Sequence, residues 1–184
     1  LTESGTLGRL TALLRQRSLT RGDFVLASGR RSTFYIDARR TTMSGEGQAL
    51  IGAAGLAAFH ARGWEPRAVG GLTLGADPVA YAIAHAARLA GTPLDAFTVR
   101  KQPKAHGTGR LIEGCLEAGD AVVVCEDVIT TGRSALDAVA AVRDAGAHVL
   151  GVLAVIDREE GGRQAIEAAA LPVAVLVTVR DLGV

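Results

Sequence analysis

The chain has 184 residues, the size of one ordinary domain, and its 48% hydrophobic against 21% charged residues allow a sizeable core. Twenty Lys and Arg against nineteen Asp and Glu leave a formal net charge of +1, which excludes a whole-chain electrostatic grip on nucleic acid or an anionic membrane. Two cysteines, Cys115 and Cys125, can neither build a disulfide framework nor fill a four-ligand zinc site.

No run approaches the ~18 uninterrupted apolar residues of a membrane span. The opening Leu1-Thr2-Glu3-Ser4-Gly5 lacks a basic stretch followed by an apolar one, so a cytoplasmic protein is expected. Four Phe, two Tyr and one Trp are too few for a stacking platform on single-stranded nucleic acid.

Taken in chain order, Leu7, Leu10, Leu13 and Leu14 are spaced for an amphipathic helix over 7–17. Phe24-Val25-Leu26 and Phe34-Tyr35-Ile36 are short strand-like runs, an antiparallel excursion near the N-terminus. From Gln48 the pattern alternates: helix to Ala61, strand 68–72, helix 78–89, strand 94–99, strand 121–125, helix 134–144, strand 149–156, helix 164–170, strand 173–177. Near-continuous apolar strands between helices predict an α/β fold with a parallel sheet covered on both faces. Right-handed crossovers then place the functional loops at the carboxyl ends of the strands. The interruption is 100–113, a polar, Gly-containing stretch whose length points to function or disorder.

The sharpest local pattern is Val122-Val123-Val124-Cys125-Glu126-Asp127-Val128-Ile129-Thr130-Thr131-Gly132-Arg133-Ser134. A buried strand ends in two carboxylates, and a hydroxyl-rich turn then opens a helix. Unpaired N–H groups and the positive end of the helix dipole favour a phosphate there, and Thr130, Thr131 and Ser134 add donors. A phosphate would be repelled by Glu126 and Asp127, which suit sugar hydroxyls or a divalent cation. Together they describe a site for a ribose carrying a 5′-phosphate. It is not a Walker A loop, because GxxxxGK[ST] is absent. The plainer alternative is a capped helix behind two solvated acids.

The chain contains 18 Arg and only two Lys, Lys101 and Lys104, both within Arg100-Lys101-Gln102-Pro103-Lys104-Ala105-His106-Gly107. A lysine offers a compact point charge where an arginine offers a planar fork. No acid lies between Asp95 and Glu113, whereas Arg100, Lys101, Lys104, His106 and Arg110 accumulate. Such a loop suits a lid that closes on a polyanion; a solvated basic loop is the bland alternative.

The segment 124–134 resembles the phosphoribosyl-pyrophosphate signature of type I phosphoribosyltransferases. The Arg-Lys-x-x-Lys-x-His-Gly spacing resembles the catalytic loop of the orotate phosphoribosyltransferase family. Phe24-x-Leu26-x-Ser28-Gly29-x-x-Ser32-x-x-Tyr35 is similar to that family's N-terminal hood, and 71–78 to its pyrophosphate-side loop. Asp157-Arg158 matches the position whose arginine contacts orotate. The chain departs by having Ala27 where some members have Lys, and Leu74-Gly75 where some have Tyr-Lys, which shifts cationic work onto Arg100, Lys101, Lys104 and His106.

The resemblance implies the type I phosphoribosyltransferase fold: one domain over 1–184, with a mostly parallel central sheet flanked by helices, a small hood over about 1–40 and a flexible catalytic loop over about 100–113. It implies transfer of ribose 5-phosphate from phosphoribosyl pyrophosphate to orotate, with Mg²⁺ held mainly by substrate oxygens and no named protein ligand. Lys104, His106 and Asp127 would be catalytic. Arg100, Lys101, Lys104 and His106 would face the pyrophosphate, Glu126 and Asp127 the ribose, and Val128, Ile129, Thr130, Thr131, Gly132, Arg133 and Ser134 the 5′-phosphate. Thr130 and Arg158 would face orotate, with Phe34 and Tyr35 as candidate walls. A homodimer sharing its catalytic loops across subunits is implied too. A purine phosphoribosyltransferase and a non-catalytic, nucleic-acid-binding regulator are the competing readings; Arg158 and the two-lysine loop oppose the first, the +1 charge the second.

Overall fold

Apolar residues recur along the middle of the chain in short runs that can be buried on two faces at once, and these form the central sheet. A computed structural model describes residues 3–25, 29, 31–102 and 111–184. Helix α1 (Glu3–Arg17) is followed by the antiparallel pair β1 (Leu19–Val25) and β2 (Arg31–Ile36), the expected hood. Helices α2 (Arg39–Thr42) and α3 (Gly45–Arg62) lead into β3 (Ala68–Leu72), α4 (Ala76–Leu89) and β4 (Asp95–Val99). The remainder is β5 (Ile112–Gly114), β6 (Ala121–Ile129), α5 (Arg133–Asp144), β7 (His148–Asp157), α6 (Gly162–Ala168) and β8 (Val173–Thr178).

The six-stranded sheet has the order β5-β4-β3-β6-β7-β8, parallel except for β5, which runs antiparallel to β4 at the edge. Alternation along β6 shows how the layers form. Val123 and Cys125 face the core shared with α1, α3 and α4, while Val122 and Val124 face the core shared with α5 and α6. All four are fully buried, as a strand covered on both faces requires.

Two differences from the expected elements bear on function. The acid pair does not follow the strand but lies inside it, since β6 pairs with β7 as far as Ile129↔Asp157. By contrast β3 pairs with β6 only through Gly70↔Val124, so from Cys125 onward β6 has lost its neighbour on that side. The second difference is α2, a single turn that local sequence pattern does not reveal.

The chain order runs outward in opposite directions from the β3/β6 boundary, which makes that boundary the topological switch point of the sheet. In open α/β sheets a crevice opens there, beyond the carboxyl ends of the strands.

Candidate functional site

Both strands at the switch point end in polar turns. The turn after β3 is Thr73-Leu74-Gly75, and it fills the space β3 vacates beside Glu126 and Asp127. Gly75 approaches so closely that a Cβ there would sit 2.5 Å from Asp127 Oδ1 and 2.7 Å from its Cγ. Asp77, in the first turn of α4, accepts from Thr73 Oγ1 at 2.7 Å and from Thr98 Oγ1 at 2.9 Å, tying this turn to the end of β4.

Glu126 is 7% exposed and its carboxyl is pushed up to about 8, first by burial, then by the charge of Asp127 and a hydrogen bond with it. Asp127 is also raised by burial, although the Val128 N–H, donating to Oδ1 at 2.8 Å, and the Arg39 guanidinium oppose the shift. Such a pair holds one proton readily and two negative charges with difficulty, which suits it to hydroxyl ligands or to a nearby cation.

The turn beyond β6 leaves the N-terminus of α5 open. Gly132 takes the left-handed conformation, φ 78°, and no side chain caps α5. The first N–H groups of that helix therefore point out of its end without a capping acceptor. A small depression is lined by Glu126 and by Val128, Ile129, Thr130, Thr131, Gly132, Arg133 and Ser134, of which 128–134 is the stretch expected to hold a phosphate. The Arg133 guanidinium is engaged with Asp137 at 2.9 Å.

Arg158 is brought alongside by the sheet: its N–H donates to the Ile129 carbonyl at 3.0 Å. Its guanidinium pairs with Glu160 at 2.8 Å, lies 5.1 Å from the centre of the Phe34 ring, and keeps a buried Nε without an acceptor. A planar cation held against an aromatic ring from the hood has the chemistry to pair with a flat, carboxylate-bearing ring. Tyr35 stands apart, 43% exposed and tilted against Phe24 at 5.7 Å.

A groove of about 230 Å³ gathers Arg39, Leu72, Thr73, Leu74, Gly75, Lys101, Glu126, Asp127 and Ser134. It adjoins, through Thr73, Leu74 and Lys101, a cavity of about 600 Å³ that also reaches Thr98, Arg100, Gln102 and Glu113. Arg100 is fixed at the root of the basic segment by its N–H to the Leu111 carbonyl, 2.8 Å, and by an ion pair with Glu113 at 3.7 Å. Lys104 and His106 lie outside the described residues, as does most of the segment they belong to, and so do Leu26, Ala27 and Ser28 of the hood motif.

Sequence reasoning missed Arg39, which comes from the hood side; the only local trace of it is the Arg39-Arg40 pair just after β2. The other chemistry-bearing side chains lie apart from the crevice. His60, His85 and His148 are exposed on α3, α4 and the start of β7. Cys125 is buried and its thiol pushed up to about 12, so it is an inert apolar side chain. A cavity of about 500 Å³ lined by Phe59, Trp64 and Pro66 sits at the amino ends of β3 and β4, away from the switch point.

No family model matches the chain. Among curated proteins, it is 48% identical over 177 residues to the orotate phosphoribosyltransferase of Aquifex aeolicus, covering 95% of this chain and 96% of that one. It is 49% identical to the orotate phosphoribosyltransferase of Mycobacterium avium, covering 96% of each. The crystal structure of the Mycobacterium tuberculosis H37Rv orotate phosphoribosyltransferase in complex with 5-phospho-alpha-D-ribosyl 1-diphosphate superposes with a TM-score of 0.82 at 45% identity, over 97% of this chain and 99% of that one. Identity at this level along nearly the whole length leaves no room for a borrowed scaffold: the chain belongs to the orotate phosphoribosyltransferase family and has the type I phosphoribosyltransferase fold.

Proposed function

We propose that this protein transfers ribose 5-phosphate from phosphoribosyl pyrophosphate to orotate, giving orotidine 5′-monophosphate and pyrophosphate in pyrimidine biosynthesis. The observation that carries the reading is the pairing of the β6 acids with the uncapped turn of α5, which share Glu126 and Ser134 in their lining at the switch point, with the Phe34-backed Arg158 held to Ile129 at the end of the neighbouring β7. Orotate supplies the attacking nitrogen, so no protein nucleophile is required. What the protein supplies is alignment and charge: C1 of the ribose passes through an oxocarbenium-like state as pyrophosphate departs.

In this reading Glu126 and Asp127 accept the ribose hydroxyls, and Asp127 supports the cationic sugar. Val128, Ile129, Thr130, Thr131, Gly132, Arg133 and Ser134 cradle the 5′-phosphate. Arg158 pairs with the orotate carboxylate while Thr130 borders the base. Arg100, Lys101, Lys104 and His106 face the departing pyrophosphate, with Lys104 and His106 acting on it as the loop over about 100–113 closes. Mg²⁺ fits this donor set: the two acids border the groove, and substrate oxygens and water would be its principal ligands. When bound, the cation would neutralise charge on the diphosphate.

We further read residues 1–184 as one domain with its hood at about 1–40, acting in the cytoplasm as a homodimer that shares its loops. Leu74 and Tyr81, 56% and 51% exposed beside the root of the basic segment, support a second copy there. No helix among the described residues is long and apolar enough to cross a membrane.

The direct test is orotate consumption that depends on phosphoribosyl pyrophosphate, with and without Mg²⁺, against guanine, xanthine and adenine as rival acceptors. Turnover with a purine and none with orotate would reject the reading. Two variants sharpen it. Arg158→Ala should raise KM for orotate by about 10–100-fold, the worth of a charge-assisted pair, and leave KM for phosphoribosyl pyrophosphate nearly unchanged. Gly75→Ala should push the Asp127 carboxylate aside, since that is the movable partner in the collision. KM for phosphoribosyl pyrophosphate should then rise about tenfold with little change in melting temperature.

A further inference from the structure

We propose that Arg39 is a diphosphate-contacting residue, its guanidinium taking a phosphoryl oxygen of the substrate in the groove it lines together with Lys101. The proposal rests on the transferase reading above and adds to it a residue that neither the motifs nor their spacing assigned.

The first support is placement. Arg39 opens α2, and this one-turn helix is pinned from below: Thr41 and Thr42 are fully buried, and the Thr41 and Ser18 hydroxyls share a hydrogen bond of 2.7 Å. Ser44 Oγ donates to the Thr41 carbonyl at 2.8 Å and also accepts the Gly47 N–H at 3.1 Å, where it caps α3. Gly47 leaves no room for a Cβ against that same carbonyl. The backbone under Arg39 is therefore fixed by the core, and a site residue on it needs little ordering when substrate binds.

Charge supplies the second support. The groove is bounded by two carboxylates, and a diphosphate entering beside them requires cations on the rim. Among the described residues lining it, only Arg39 and Lys101 are cationic, and Gly75 contributes no side chain. Arg39 Nε donates to Asp37 Oδ1 at 2.9 Å with the side chain half exposed, a bond that steadies the fork while its far amino groups stay at the surface. The guanidinium also reaches the acid pair electrically, since its charge opposes the upward shift that burial imposes on the Asp127 carboxyl. A planar fork so oriented suits two phosphoryl oxygens, as a point charge does not.

The neighbouring Arg40 provides the control. It lies on the same turn, is exposed, and lines no part of the groove. Inorganic pyrophosphate and orotate are titrated separately into wild type, Arg39→Ala, Arg39→Lys and Arg40→Ala, and KM is measured for both substrates. Arg39→Ala should weaken pyrophosphate binding and raise KM for phosphoribosyl pyrophosphate, each about tenfold, with the orotate constants unchanged. Arg39→Lys should recover part of the loss, and Arg40→Ala should match wild type.

Undiminished pyrophosphate affinity in Arg39→Ala overturns the proposal, because a residue serving only Asp127 would leave that ligand untouched. An equal loss for both substrates with a lowered melting temperature overturns it as well, marking Arg39 as structural. Should wild type bind pyrophosphate yet never consume orotate, the transferase reading fails by itself, and the pyrophosphate titrations still decide the role of Arg39.

Discussion

Replacing Lys104 by alanine is expected to lower kcat by about 10²–10³-fold while KM for phosphoribosyl pyrophosphate moves only a few-fold, because the charge it answers develops in the transition state. The chain meets almost every need for a cation with arginine, 18 times in all, and uses its two lysines three positions apart. Lys101 lines the groove, and Lys104 follows it three residues on in the sequence. The flanks of its segment are clasped to each other by the β4–β5 pairing, Val99↔Ile112, and by the Arg100–Leu111 hydrogen bond. The described base of the segment, Arg100 and Lys101, thus stands beside the groove and the adjoining cavity. Lys104→Arg should restore only part of the rate, since a broad fork replaces a compact ammonium. Steady-state and single-turnover kinetics separate the outcomes. A Lys104→Ala enzyme with normal single-turnover rates removes this segment from the chemistry.

The parts of this architecture that could be read from sequence are those in which local pattern and burial agree. Strand β3 occupies the expected 68–72, because a parallel strand buried on both faces is written as an uninterrupted apolar run. The end of β6 was harder to see, since two carboxylates look like the close of such a run. They stay within the strand because β7 continues to pair with them while β3 has already turned away. Strand β5 is three residues at an edge and includes Glu113, too short and too polar for periodicity to register. In the candidate site, the acid pair, the Thr-rich turn and Arg158 are each suggested by their sequence neighbours. Arg39 could not be found that way. Its place beside Asp127 depends on packing between the hood and the sheet, with Thr41 and Thr42 as the buried pegs. Phe34 became informative only when the Arg158 guanidinium was found against its ring.

Burial of the acid pair should also make stability depend on pH in a direction opposite to that of most carboxylates. Glu126 has its carboxyl raised from 4.5 to about 8 in the folded protein. Between those values the native state keeps a proton that the unfolded chain has released, so raising the pH favours unfolding. The limiting slope is about 1.4 kcal/mol per pH unit, and the accumulated cost near pH 8 is on the order of a few kcal/mol. Asp127, raised as well, adds in the same sense over its own range. Asp181 is lowered from 3.8 by its hydrogen bonds with Thr178 and so acts only in more acidic solution, while Cys125, pushed up from 9.0 to about 12, acts only in more alkaline solution. Thermal unfolding should therefore show Glu126→Gln gaining on wild type from pH 5 to pH 8 and holding its lead beyond. Function should move the other way: an ionised Glu126 accepts two ribose hydroxyls better than a neutral one, so kcat/KM for phosphoribosyl pyrophosphate should climb with pH toward about 8 in wild type and stay low and flat in Glu126→Gln. Parallel melting curves for the two proteins across that range would mean that the acid pair is solvated, and with it would go the dry cup on which recognition of the ribose depends.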